Sequence, residues 1–529
     1  MTKSRDDSRH DPQSAGLTRR ALMTSSLAAG AVLGLGGPAS LLGSSAQAAE
    51  PKRGGILKIG VNGGAATDPV DPAVIASSPT RLVTRQWGDT LVEVTPDRKA
   101  VGLLAESFSS NADGTEWTFN IRQGVTFHDG SELTAEDVVA TYKRHSDEAS
   151  QSAVMPLMKG ITEMKADGSK VVLRLATANA DLPYLLSDYH LPIQPRGGVD
   201  APGATIGTGP YKVVSIEPGI RYVLEKNQED WNRDRGYYDG LEMLVINDSM
   251  ARTSALQSGQ IHMANYIDPK VAKFLVAAPG IKVTQTPSRA HYCFEAMIDK
   301  QPFGSKDLIL ALKYALNRQE MLDKILGGFG SIGNDIPINS AYPLFEEKLE
   351  QRLFDLAKAA EHYKASGHDG SPIELHVAEI FPGAVDMAML WQASCAQAGI
   401  PLAVKRVPED GYWTQVWLFQ PFVADYLLGR PVQDQLYSMF FQAGAEWNAS
   451  HFANADFDAL LLQARGELDE TKRKELYGKM ARILWEEAAV FIPVFADFVN
   501  AHSDKIAGWT SNPNDELMGG FAPSRTWFA

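Results

Sequence analysis

From Gly55 onward, short runs with apolar residues at period two alternate with helix-like runs, and no repeat of fixed length links them. That alternation dictates a mixed α/β chain and excludes a fibre or a coiled coil. The strand candidates are residues 56–61, 116–122, 170–176, 211–216, 221–226, 241–246 and 281–286, several joined by Gly or Asn/Asp turns such as Asp113-Gly114 and Asp167-Gly168. In the first half one helix is expected to start after Thr134, where Thr134-Ala135-Glu136-Asp137 sets a carboxylate three residues beyond a hydroxyl cap. The second half is richer in helical spacing. Leu308, Leu312, Ala315, Leu316, Leu322, Ile325 and Leu326 predict one helix ending at Gly327-Gly328, and a second long helix is predicted over 471–487. The 529 residues correspond to roughly three or four domain-sized units.

Residues 1–48 differ from the rest. A polar stretch ends in Thr18-Arg19-Arg20, an Ala/Gly/Leu-rich run follows, and Ala46-Gln47-Ala48 precedes Ala49. This is the plan of an export signal, and the paired arginines with a mildly apolar core resemble the twin-arginine type. Cleavage is expected near Ala48/Ala49, with a soluble periplasmic product. Its removal takes away five basic and three acidic residues, so the whole-chain charge of −14 becomes −16 over 481 residues. A strongly acidic chain repels phosphate backbones, so nucleic acid is not an expected partner. Cys293 and Cys395 read as buried free thiols, with a single long-range disulfide as the alternative.

Chemical motifs are scarce. Gly328-Phe329-Gly330-Ser331-Ile332-Gly333 satisfies G-x-G-x-x-G, but a helix precedes it where a dinucleotide fingerprint requires a strand, so a loop closing that helix is expected. There is no P-loop, no G-x-S-x-G elbow, no C-x-x-C and no histidine pair at metalloprotease spacing. No catalytic residue, cofactor or metal site is therefore assigned.

Other strings are more specific. The start KRGGILKIGV with Asp68-Pro69-Val70-Asp71-Pro72, the run 103–144, Gly207-Thr208-Gly209-Pro210-Tyr211, Leu256-Gln257-Ser258-Gly259-Gln260-Ile261, and the later 454–464 and 491–497 occur in this order. The chain resembles the peptide-type, family 5 solute-binding proteins of ABC importers. The resemblance implies an α/β, periplasmic-binding-protein-like fold: two lobes closing over a ligand cleft, with an extra inserted domain. Domain I would comprise 50–95, 205–290 and 497–529, domain II the insertion 96–204, and domain III residues 291–496. The crossings near Pro287–Cys293 and Pro493–Phe498 would form the hinge. The implied partners are a small peptide or peptide-like zwitterionic solute and an inner-membrane ABC permease, with the protein monomeric. An opine, a modified amino acid or a nickel complex are alternative ligands. A chemoreceptor is an alternative reader of the closed form, and an exported hydrolase is the rival of another class. Within the signature run, His128 and Asp129 are expected to have structural roles.

Peptide-binding members of that family hold the peptide ammonium on an aspartate of a W-x-x-D-x-x-D-P-D-like segment. Here the corresponding residues 422–435 read FVADYLLGRPVQDQ and depart from it. Asp434 is the first candidate for a cation-binding carboxylate and Asp425 the second, while Arg430 could hold an acidic group by bidentate hydrogen bonds. A surface ion pair remains the alternative for these charges. Trp413, Trp417, Trp447 and Asn448 are candidates for the pocket wall, with core packing as the alternative for the Trp413/Trp417 pair. Asn62 and Trp87 are the facing candidates from domain I.

Overall fold

The computed structural model describes residues 50–147 and 149–529, so the expected export signal lies outside the described residues. Three sheets carry the architecture. The largest has seven strands in the order Ile281–Thr286, Phe498–Ser503, Met263–Ala264, Ile56–Val61, Gly240–Val245, Arg221–Lys226, Tyr211–Glu217. Its central strand Ile56–Val61 pairs in parallel with both neighbours, and the outer pairings are antiparallel. The inner positions Leu57, Ile59 and Val61 are fully buried. A six-stranded sheet runs Gly330–Ile332, Val490–Ala496, His291–Ala296, Phe422–Leu427, Ile373–Val377, Leu402–Arg406. The third is an antiparallel four-stranded meander of Ala105–Ser110, Glu116–Ile121, Lys170–Leu175 and Ile161–Asp167.

The seven expected strands are all present, within one residue at either end. The expected capping box is present too: Thr134 Oγ1 accepts from Asp137 N at 3.3 Å, Asp137 Oδ2 accepts from Thr134 N at 2.9 Å, and the helix Ala135–Ser146 follows. The expected single helix from Leu308 to Leu326 is instead two, Lys306–Tyr314 and Arg318–Lys324. The break comes from Asn317, whose side chain accepts from Glu320 N and caps the second helix. The long helix is Glu470–Glu487. The G-x-G-x-x-G segment is more than a loop, because Gly330–Ile332 pairs with Val494–Ala496 as an edge strand. Cys293 and Cys395 are both buried and unbonded to each other, so the disulfide alternative is discarded.

The chain passes between the two large sheets twice. It leaves strand Ile281–Thr286 for His291–Ala296, and it returns from Val490–Ala496 to Phe498–Ser503. The second passage is the single residue Asp497. Such short connections leave little slack, so any rotation of one sheet against the other is concentrated in these few backbone dihedrals. The six-stranded sheet has a separate core on each face. Phe294, Ala296, Phe422 and Ala424 face Trp391 and Leu312, while Cys293 and Leu427 face Tyr437, Phe440 and Met480.

Candidate functional site

The site is built where strand Phe422–Leu427 runs out into a turn. Gly429 adopts φ +80°, and a Cβ there would stand 2.3 Å from the Arg289 Cβ, so the turn requires glycine. That turn directs Arg430. Its amide donates to Tyr342 Oη at 3.1 Å and its Nη1 to the Gly429 carbonyl at 2.7 Å. The guanidinium lies 5.4 Å from the Phe440 ring and 5.9 Å from Trp447. No carboxylate among the described residues pairs with it, and burial lowers its pKa with only Tyr342 and Tyr189 opposing. It is a partly desolvated cation without a carboxylate partner among the described residues.

An aromatic wall extends from this cation. Trp447 meets Trp417 at 6.3 Å and Trp417 meets Trp413 at 5.6 Å, both edge to face. Trp413 and Trp447 are each 42% exposed, which is high for indole and leaves their faces free to contact a solute. Phe440 joins the wall against Trp447 at 5.7 Å. The structure thus brings together Arg430, Trp413, Trp417 and Trp447.

Four other candidates do not present themselves to a ligand. Asp434 is held by Arg465, whose Nε reaches its oxygens at 3.0 and 3.2 Å. Burial nevertheless holds the Asp434 carboxyl up to about 6, with Asp181 adding to the rise and Arg465 opposing it. Asp181 in turn meets Arg473 at 3.0 Å, so this is an ion cluster joining residues 181 and 473 across the fold. Asp425 is 2% exposed on the sheet face it shares with Cys293, accepting from Trp417 Nε1 at 2.9 Å and from the Tyr426 amide. Asn448 is buried and donates to the Gln442 and Phe452 carbonyls, closing the loop beneath Trp447. Trp87 is fully buried in the core of the seven-stranded sheet, next to a void of about 10 Å³ that holds at most one water. In this structure Asp434, Asp425, Asn448 and Trp87, expected as ligand contacts, are engaged by the protein itself or buried in its core.

Asn62 stands differently. Its amide donates to Asn265 Oδ1, while its own Oδ1 is buried without a partner. Asn265 Nδ2 donates to Glu516 Oε2 at 2.7 Å. Glu516 Oε1 is likewise unpartnered, and burial, reinforced by Asp515, pushes its carboxyl up to about 7. Arg81 pairs with Asp515 at 3.3 Å and lies over the Tyr189 ring. Arg81, Tyr189, Asp515 and Glu516 were not found by sequence reasoning. Asp515 and Glu516 lie 14 and 13 residues short of the last one, Ala529, and no local pattern marks them.

His128 and Asp129 have structural partners, Nε2 against the Gly209 carbonyl at 2.9 Å and Oδ1 accepting from Ser131. A separate open groove of about 580 Å³ follows the edge strand Ile281–Thr286 and Trp509, and it includes none of the candidate residues.

Comparison with known proteins gives the family and the fold. Residues 99–448 match the model of the bacterial extracellular solute-binding proteins, family 5. The glutathione-binding protein GsiB of Salmonella typhi is 24% identical over 465 residues, covering 84% of this chain and 90% of that protein. Two solved structures share the fold. The periplasmic binding protein DppA of Helicobacter pylori in complex with the peptide STSA has a TM-score of 0.72 at 22% identity, covering 90% of this chain and 98% of that one. AgaA of A. tumefaciens R10 in complex with agropinic acid has a TM-score of 0.72 at 20% identity, covering 90% and 99%.

Proposed function

The chain belongs to the bacterial extracellular solute-binding proteins of family 5, and from that membership we propose that it captures a small, peptide-like zwitterion carrying at least one carboxylate. Proteins of this family are solute-binding components of ABC importers, periplasmic or extracellular, and their known relatives are binding proteins rather than enzymes. The observation that carries the ligand reading is Arg430, a partly buried guanidinium with an aromatic wall beside it and no acidic partner among the described residues. A ligand carboxylate supplies the missing charge, with bidentate hydrogen bonds that lysine could not make. The unpartnered acceptors Asn62 Oδ1 and Glu516 Oε1 suit the ammonium of the same molecule. Glutathione and agropinic acid, named with the relatives, both carry carboxylates, so the reading includes opine-like solutes.

In this reading domain I is 50–95, 205–290 and 497–529, domain II is 96–204 and domain III is 291–496. The passages near Pro287–Cys293 and Pro493–Phe498 act as the hinge. Solute touching both lobes stabilises the closed form by its differential affinity, and the permease reads that form. The chain is exported, cut near Ala48/Ala49, and works as a periplasmic monomer. Denaturing the purified protein and identifying the released solute by mass spectrometry tests the ligand class. A carboxylate-bearing amine or peptide is expected, and a neutral or purely cationic compound would overturn it.

A further inference from the structure

Three acidic groups meet inside the six-stranded sheet with no cation beside them. Cys293 and Glu295 alternate along strand His291–Ala296 and so project from the same face. Asp425 lies directly opposite Cys293 on strand Phe422–Leu427 and shares that face. One donor atom from each lies within 4.8 Å of the other two. All three side chains are buried, at 0%, 2% and 2% exposure. Glu295 Oε2 has no hydrogen-bond partner among the described residues. Among the described residues no lysine, arginine or histidine acts on any of the three; burial disfavours their charged forms, Asp425 raises Glu295 further, and the contact between the two carboxyls opposes the rise at Asp425.

A buried carboxyl pair can relieve its repulsion by sharing one proton, but a proton gives no reason for a thiol to stand beside both carboxyls. A divalent ion uses all three donors and supplies the missing positive charge. We propose that Cys293, Glu295 and Asp425 form a three-donor site for one zinc-class divalent ion, distinct from the solute cleft. The thiolate selects a borderline-soft ion such as zinc or cobalt over magnesium or calcium. Around tetrahedral zinc, sulfur at about 2.3 Å and oxygen at about 2.0–2.2 Å place neighbouring donors roughly 3.4–3.6 Å apart, so loading requires the donors to close by no more than about 1 Å. Trp417 Nε1 and the Tyr426 amide already orient the Asp425 carboxylate by hydrogen bonds, as outer partners of metal ligands do. The ion would tie the strand that follows the first passage between the sheets to its neighbour, beneath the aromatic wall.

The test uses the full-length gene expressed with zinc in the medium and the mature protein purified without chelator or metal-affinity resin. Elemental mass spectrometry is expected to find about one zinc per chain in the wild type and at least about ten-fold less in Cys293→Ala, a change small enough to keep the fold by circular dichroism. Loading with cobalt instead should give a near-ultraviolet thiolate-to-cobalt absorption band that Cys293→Ala abolishes. Zinc below about 0.1 per chain in the wild type, or equal zinc in Cys293→Ala, would overturn the site. Solute identity plays no part in either readout, so the outcome is independent of the proposed ligand.

Discussion

Replacing Arg430 by alanine separates binding from stability in a way that few cleft substitutions do. In the free protein the guanidinium donates to its neighbouring carbonyl at 2.7 Å and, more weakly, to Met439 Sδ at 3.3 Å, and rests on Phe440 and Trp447 without an acidic partner among the described residues. Its desolvation is therefore uncompensated, and removing it should change the unfolding free energy by less than about 1 kcal/mol. In the proposed complex the same group would pair with a ligand carboxylate. Hydrogen bonds to charged groups contribute about 1.5–3 kcal/mol, and truncating one partner of a buried charged pair costs about 2–5 kcal/mol. A loss of about 2–3 kcal/mol is expected, which weakens binding roughly 30- to 150-fold. Arg430→Lys keeps the charge but loses the planar fork, so it should fall between the two. The assay is calorimetric titration with the solute released from wild-type protein, alongside denaturant unfolding of the free variants. Affinity within about threefold of wild type in Arg430→Ala would refute the assignment of Arg430 to the ligand carboxylate.

Other substitutions test the surrounding roles. Asp434→Asn should leave solute affinity within about threefold of wild type, because Arg465 already occupies that carboxylate; a loss of about 2 kcal/mol would return Asp434 to the site. Arg473→Ala leaves Asp181 buried without its counter-charge and should destabilise the fold by about 3–5 kcal/mol in denaturant unfolding. Glu516 gives a pH signature. Its folded carboxyl sits near 7 against 4.5 when free, so the folded protein binds a proton that the unfolded chain has lost. Its contribution to stability is present below about 4.5 and disappears as pH rises through 7, a swing of up to about 3 kcal/mol that Glu516→Gln should remove. If the ligand ammonium approaches Glu516, binding near pH 7 ionises it and releases a fraction of a proton. Titration in buffers of different ionisation enthalpy measures that release, and zero release would place the ammonium elsewhere.

The strands were legible because their inner faces repeat at period two, as Leu57, Ile59 and Val61 do, and burial follows the same period. The break between the helices Lys306–Tyr314 and Arg318–Lys324 was not, because Ala315 and Leu316 continue the apolar stripe and hide the cap at Asn317. In the site, Arg430 and the tryptophans stood out as a charge among aromatics in a segment that departs from its family pattern. Asp434 misled because its partner Arg465 lies 31 residues away on another helix. Sequence proximity carries no information about such pairings. Asp425 was noticed but misplaced, since cross-strand register decides that it faces Cys293 inside the sheet. Glu516 gave no signal at all, because apart from its neighbour Asp515 its environment is assembled from Asn265 and Arg81, far away in the chain.

The central claim is that this protein binds its solute and leaves it intact. Calorimetric titration of the mature protein with the solute it carries tests this directly. The account predicts a saturable heat that returns to baseline at one equivalent per chain. Steady heat flow after saturation, the mark of turnover, or no heat at all, would contradict it.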